Sequence, residues 1–141
     1  MAIHFFDEDS GFDLPQKLKR KKWLNSIADS EGYKIKDLNY IFCSDEYLYQ
    51  INVNYLQHKT YTDIITFDNS EKEREIEGDI FISFDRVKEN ATQFNFPLEE
   101  ELNRVLSHGL FHLLGYKDKK KSEAELMRNK EQFAITLYKN M

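Results

Sequence analysis

Residues 107–118 read "SHGLFHLLGYKD", placing two of the chain's four histidines four residues apart with a glycine three further on. On a helix that rises ~1.5 Å and turns ~100° per residue, His108 and His112 share one face about 6 Å apart, the reach of two imidazoles closing on one metal ion. Around them Val105, Leu106, Leu110, Phe111, Leu113 and Leu114 are apolar nearly all the way round, so this helix is expected to be buried. A single histidine there is most simply a core residue satisfied by a hydrogen bond. Two at this spacing weaken that explanation. Gly115 stops a helix readily in the left-handed conformation, which would fold the next residues back over the same face and bring in Asp118 as a third ligand. The run H-x-x-x-H-x-x-G-x-x-D has the spacing of the extended metzincin motif, with Asp in place of the last His.

The residue after the first histidine decides between chemistries. In H-E-x-x-H peptidases it is the glutamate that takes a proton from the activated water, and here it is Gly109. A Zn²⁺ ion held by three protein ligands with an open fourth position would still make its water more acidic and polarise a phosphoryl oxygen. Such a site suits phosphodiester cleavage better than peptide hydrolysis. Glu123 shares a helical stripe with Leu126, Met127 and Ala134, and a carboxylate facing inward needs a partner. It is read first as an acceptor for a ligand histidine, then as a general base or as a partner for Lys130.

Outward from this stretch the chain alternates strands and helices. "IHFF" near the N-terminus is a short strand, and "PQKLKRKKWLNSIADSEG" a helix ended by Gly32. "LNYIFCS" is a strand, followed by a helix capped by Ser44 or Asp45 whose Leu48, Ile51 and Tyr55 share a stripe. "TDIITFD" and "EGDIFISFD" form an antiparallel pair across the charged, exposed loop "NSEKEREI". "RVKENATQF" is a short helix. Pro97 with Glu99, Glu100 and Glu101 opens the long histidine helix, acids at its positive end. Ser122 and Glu125 have the spacing of a capping box for a last helix with its stripe on Leu126, Phe133, Ala134 and Leu137. The expectation is an α+β fold in one domain over 1–141: a single small mixed sheet of about four strands packed with five or six helices, one of them a zincin-like metal helix.

The 141 residues, 40% hydrophobic, suffice for one core without staples. Cys43 is the sole cysteine, so no disulfide framework exists; it reads as core filler in a cytoplasmic protein. The N-terminus meets three acids before any long apolar run, unlike a signal peptide or membrane span, and no membrane partner is expected. A net charge of -5 argues against a generic polyanion or DNA binder, so any nucleic-acid surface must be a local basic patch. "QKLKRKK" at 16–22 reads as a solvated face, while "KDKKK" at 117–121 abuts the histidines and is the better patch. His4, in the first strand, reads as structural.

Taken together, "SHGLFHLLGYKDKKKSEAELMRNKE", preceded by "YTDIITF" and "EGDIFIS", resembles the YbeY family of bacterial rRNA-maturation endoribonucleases. His108, Gly109, His112, Leu113, Gly115 and Tyr116 match that family's H-G-x-L-H-L-x-G-Y pattern, as do Glu123, Met127 and Glu131 at their helical intervals. The similarity runs from about residue 38 to the end. It implies an α+β metalloprotein with one Zn²⁺ on His108, His112 and Asp118. It also implies metal-dependent, single-strand-specific cutting of RNA in small-subunit rRNA maturation and ribosome quality control, with ribosomal RNA and small-subunit proteins as partners.

The chain departs from the family pattern in two places. Asp118 stands where the family has a third histidine, preceded by Lys117 where the family has Asp. A carboxylate ligand makes the metal a weaker Lewis acid and opens the site to harder divalent ions. Leu56 stands where the family commonly has Arg, so a fixed cation for phosphate is missing there unless His58 or Lys59 takes its place. The candidate site is therefore His108, His112 and Asp118 for metal, Glu123 and His58 for catalysis, and Lys59, Lys117, Lys119, Lys120 and Lys121 for RNA. Two other readings are a metzincin-like metallopeptidase, opposed by Gly109, and a non-catalytic ribosome-associated factor with a structural zinc.

Overall fold

The computed structural model describes residues 2–141. Its elements in chain order are β1 (Ala2–Asp7), α1 (Lys17–Ser30), β2 (Lys34–Cys43), α2 (Asp45–Leu56), β3 (Ile64–Asp68), β4 (Glu75–Ser83), α3 (Phe84–Gln93), α4 (Leu98–Leu113) and α5 (Lys121–Lys139). The strands form one sheet in the order β1-β2-β4-β3. β1, β2 and β4 run parallel, and β3 pairs antiparallel with β4 in the register Ile64↔Ile82 to Asp68↔Gly78. This is the expected α+β architecture of a mixed four-stranded sheet and five helices.

Because side chains alternate across a strand, β4 serves two faces. Ile76, Ile80 and Ile82 join the main core with Trp23, Leu24, Tyr40, Leu106 and Leu110 from β2, α1 and α4. Phe81 turns to the other face, where α2 brings Leu48 and Ile51 against Cys43 and Ile65. Cys43 is buried there, and its thiol is pushed up to about 12, chiefly by burial and then by the nearby acids Asp9 and Asp7. No helix among the described residues is long and apolar enough to cross a membrane.

Several local expectations are corrected. The basic run at 16–22 is not wholly solvated. Arg20 is fully buried, donating from Nε to Asn103 Oδ1 at 3.1 Å and pairing with Glu99, and so ties α1 to α4. Tyr55 leaves the buried face of α2 and is 72% exposed, whereas Asn52 is buried there and donates to the Thr60 carbonyl at 2.8 Å. α5 is also rotated from its expected stripe. Leu126 and Phe133 lie outside at 46% and 54% exposure, while Met127, Glu131, Ala134, Ile135 and Tyr138 face inward. Apolar residues at 126/127 and 133/134/135 offer two adjacent stripes. The one that wins lets Tyr138 pack edge-on against Trp23, whose indole N–H donates to the Ala134 carbonyl at 2.8 Å.

Candidate metal centre

α4 crosses the sheet at its β3–β4 side, and Gly109 sets how closely. A Cβ there would come within 2.9 Å of Ile80 Cδ1 and 3.1 Å of Ile64 Cδ1. The position that carries the peptidase glutamate thus presses on the sheet, and a side chain there has no room. His108 and His112, on the flank of α4 beside Gly109, are both left partly exposed.

His108 and His112 meet edge to face, ring centroids 4.5 Å apart and Nε2 atoms 3.0 Å apart. Beyond them the helix ends in a Schellman-type turn: the Tyr116 amide donates to the Phe111 carbonyl at 3.0 Å, with Gly115 at φ +100°. That turn folds Asp118 back over the histidines, its Oδ2 lying 3.3 Å from His108 Nε2 and 3.5 Å from His112 Nε2. The three groups are the one set of metal-ligating type found to converge among the described residues.

The other ring nitrogens show what this set requires. His108 Nδ1 meets Glu131 Oε2 at 2.5 Å, and His112 Nδ1 meets the Tyr116 carbonyl at 3.0 Å. Both partners are acceptors, so each ring carries a proton on Nδ1, and in its neutral form turns the Nε2 lone pair inward. Two such lone pairs 3.0 Å apart beside a carboxylate oxygen are brought together by a proton on one ring or by a metal ion between them. Zinc bonds of ~2.0 Å in tetrahedral array put ligand atoms about 3.3 Å apart, and the observed edges are 3.0, 3.3 and 3.5 Å. The donor set fits a small divalent ion. Burial acts to lower the His108 imidazolium, but the hydrogen bond and charge of Glu131, with the charges of Asp118 and Asp63, outweigh it and raise it.

Glu131 is in turn held by Arg104. The guanidinium lies 3.7 Å from Glu131, and its Nε lies 3.4 Å from Glu101 in an ion-pair contact outside hydrogen-bond geometry. Burial, offset in part by Arg104 and reinforced by Asp63 and Glu131, lifts the Glu101 carboxyl to about 7. On the other side, the Tyr116 hydroxyl and Lys130 Nζ both donate to Glu31 at the end of α1, at 2.7 and 2.8 Å.

Two grooves flank the triad. One, of about 390 Å³, runs beside α5 and includes His108, Asp118, Arg104, Arg128 and Glu131. The other, of about 650 Å³, runs along the edge strand β3 and includes His112, His58, Thr62 and Lys119.

The remaining sequence-derived site residues are placed unevenly. Glu123 is not the acceptor for a ligand histidine. It sits in the first turn of α5 and accepts from the Lys120 amide at 2.9 Å, because the first amides of a helix lack partners. The capping carboxylate is thus Glu123, in place of Glu125, and Lys130 pairs with Glu31 and not with Glu123. His58 is exposed in the β3 groove, and Lys59 is exposed outside both grooves. Of the exposed Lys117, Lys119, Lys120 and Lys121, only Lys119 lines a groove. Sequence reasoning assigned no role to Glu131, Arg104 or Arg128, although Glu131 lay within the motif. His4 is exposed on the edge strand β1.

Fold and site together define a small α+β domain with a His-His-Asp donor set on one helix and the turn that ends it. The family model described as Endoribonuclease YbeY matches residues 5–139, and the chain belongs to that family. A Cytophaga hutchinsonii protein named Endoribonuclease YbeY is 57% identical over 98% of this chain and 96% of its own. A Flavobacterium johnsoniae protein of the same name is 49% identical over 94% of this chain and 95% of its own. The solution structure of a Thermotoga maritima protein superposes with a TM-score of 0.69 at 27% identity, covering 97% of this chain and 89% of that one.

Proposed function

We propose that this chain is a metal-dependent endoribonuclease that cuts single-stranded RNA, working as one domain in the cytoplasm. Its assigned task is small-subunit rRNA maturation and ribosome quality control, among small-subunit proteins. Its resident ion is one Zn²⁺ on His108, His112 and Asp118. The observation that carries the reading is the convergence of the two histidine Nε2 atoms with a carboxylate between two open grooves, in a chain of this family. When bound, the ion supplies Lewis acidity toward a phosphoryl oxygen and a water made acidic enough to attack.

The chain's own residues prepare that site. Glu131 and the Tyr116 carbonyl fix the two imidazoles, and Arg104 holds Glu131. His58, in the groove with His112, is assigned to proton transfer, and Glu123 supports the turn that carries Asp118.

Metal analysis beside cleavage assays tests the proposal. The purified protein should carry about one divalent ion per chain and cut a single-stranded RNA while sparing duplex RNA and DNA. Chelation should abolish cutting and zinc restore it, and Asp118→Ala should lose both ion and activity. Cleavage that persists in chelator would overturn the metal-dependent reading.

A further inference from the structure

The cations around the triad are not equivalent. Arg104 is committed to Glu100, Glu101 and Glu131, all within 3.8 Å. Arg128 lines the same groove as His108 and Asp118, yet it makes no ion pair or hydrogen bond with any described residue. It lies on the groove face of α5, four residues after Ala124 and three before Glu131, both of which line that groove as well. A guanidinium in a groove lined by carboxylates, pairing with none of them, is free to take an anion from outside. Lys119 mirrors it: exposed, unpaired among the described residues, and lining the β3 groove with His112 and His58. The triad therefore sits between two uncommitted cations, one in each groove.

We infer that Arg128 and Lys119 bind backbone phosphates on opposite sides of the bond that is cut. A single RNA strand then crosses the metal centre from the α5 groove to the β3 groove. The planar guanidinium of Arg128 takes its phosphate through two parallel N–H donors, while Lys119 acts as a point charge. Arg128 also puts positive charge back beside a site where Asp118 adds a negative one. This inference rests on the RNA reading above and gives it a direction across the surface.

Binding measured against salt separates the two. A fluorescein-labelled ten-nucleotide single-stranded RNA is titrated with the zinc-loaded protein from 50 to 200 mM KCl, its integrity checked on a gel. Each phosphate contact contributes about 0.7 to the slope of log K against log salt for a single strand. Arg128→Gln and Lys119→Gln should each lower the slope by about 0.7, and the double variant by about 1.4. Arg128→Lys should keep the slope but bind several-fold more weakly, and Lys22→Gln, at an exposed α1 position outside both grooves, should change nothing. Arg128 is exposed, so the variants should fold, as matched melting curves would show. An Arg128→Gln slope equal to wild type overturns the inference and leaves the RNA reading standing. A wild type that neither binds nor cuts the RNA overturns both.

Discussion

His108 and His112 sit one turn apart on the same helix, and each is held by a bond to Nδ1, but the two bonds belong to different parts of the molecule. His108 is held by Glu131, a side chain 23 residues away on another helix, itself engaged by Arg104. His112 is held by the main-chain carbonyl of Tyr116, four residues on, at a distance set by the turn through Gly115. The first brace is tertiary, charged and replaceable by mutation. The second is local, neutral and encoded by backbone shape. Loss of α4–α5 docking should therefore free His108 and leave His112 in place.

The largest effect should come from the residue shared by both. Asp118 reaches either histidine within 3.5 Å, so Asp118→Ala should lower metal affinity by more than ~100-fold, beyond the ~10–100-fold cost of losing an outer-shell partner. Competition against a chromogenic chelator reads this directly. Retained affinity would mean that the two histidines suffice and that the turn contributes only shape.

The next two variants set the braces against each other. Glu131→Gln keeps the shape but removes the charge that makes His108 a better ligand, so metal affinity should fall ~10–100-fold with little change in denaturant midpoint. Gly115→Ala should show the opposite balance. With φ at +100°, a Cβ strains the turn by about 1–2 kcal/mol, visible as a lower midpoint, and affinity falls only as far as Tyr116 and Asp118 move with it. If Gly115→Ala left the midpoint unchanged, the turn would not be the source of the second brace.

This asymmetry explains how much of the site could be read beforehand. The helix, its glycine stop and the return of Asp118 follow from spacing within a dozen residues, so local rules reached the two histidines and Asp118. The brace on His108 depends on how α5 is rotated, and there the sequence offers two apolar stripes one residue apart. Placing Glu123 on a stripe with Leu126, Met127 and Ala134 pointed to it as the inward acid. Trp23 and Tyr138 decide for the other stripe, and with it for Glu131. The same limit hid Arg20, an ordinary member of a basic run until Asn103 and Glu99 meet it from 79 residues or more away. Fold class was accessible because alternation and helical periodicity are local. Which polar side chains meet across elements was not.

Only the His108 side carries a buried titrating group of its own. Glu101 belongs to the network that ends on Glu131, and its carboxyl is raised to about 7. An acid raised in the folded state holds its proton there while the unfolded chain has lost it. Stability is thus full below about pH 4.5 and declines as pH rises to about 7. In metal-free protein, Glu101→Gln should melt like wild type at pH 4.5 and be more stable by about 1 kcal/mol at pH 8. A gain that is the same at both values would assign the effect to packing rather than to charge.

Tyr116→Phe should produce the smallest change and test the contrast most sharply. It deletes the hydroxyl that donates to Glu31 at 2.7 Å but leaves the carbonyl that holds His112, and Lys130 still engages Glu31. If the turn supports itself, stability should fall by only about 0.5–1 kcal/mol and metal affinity should stay within about twofold. If affinity instead drops tenfold, the anchor on α1 is part of the brace, and both histidines are held by tertiary contacts after all. The Schellman hydrogen bond from the Tyr116 amide to Phe111 argues for the first outcome, because it fixes the Tyr116 backbone whatever its side chain does.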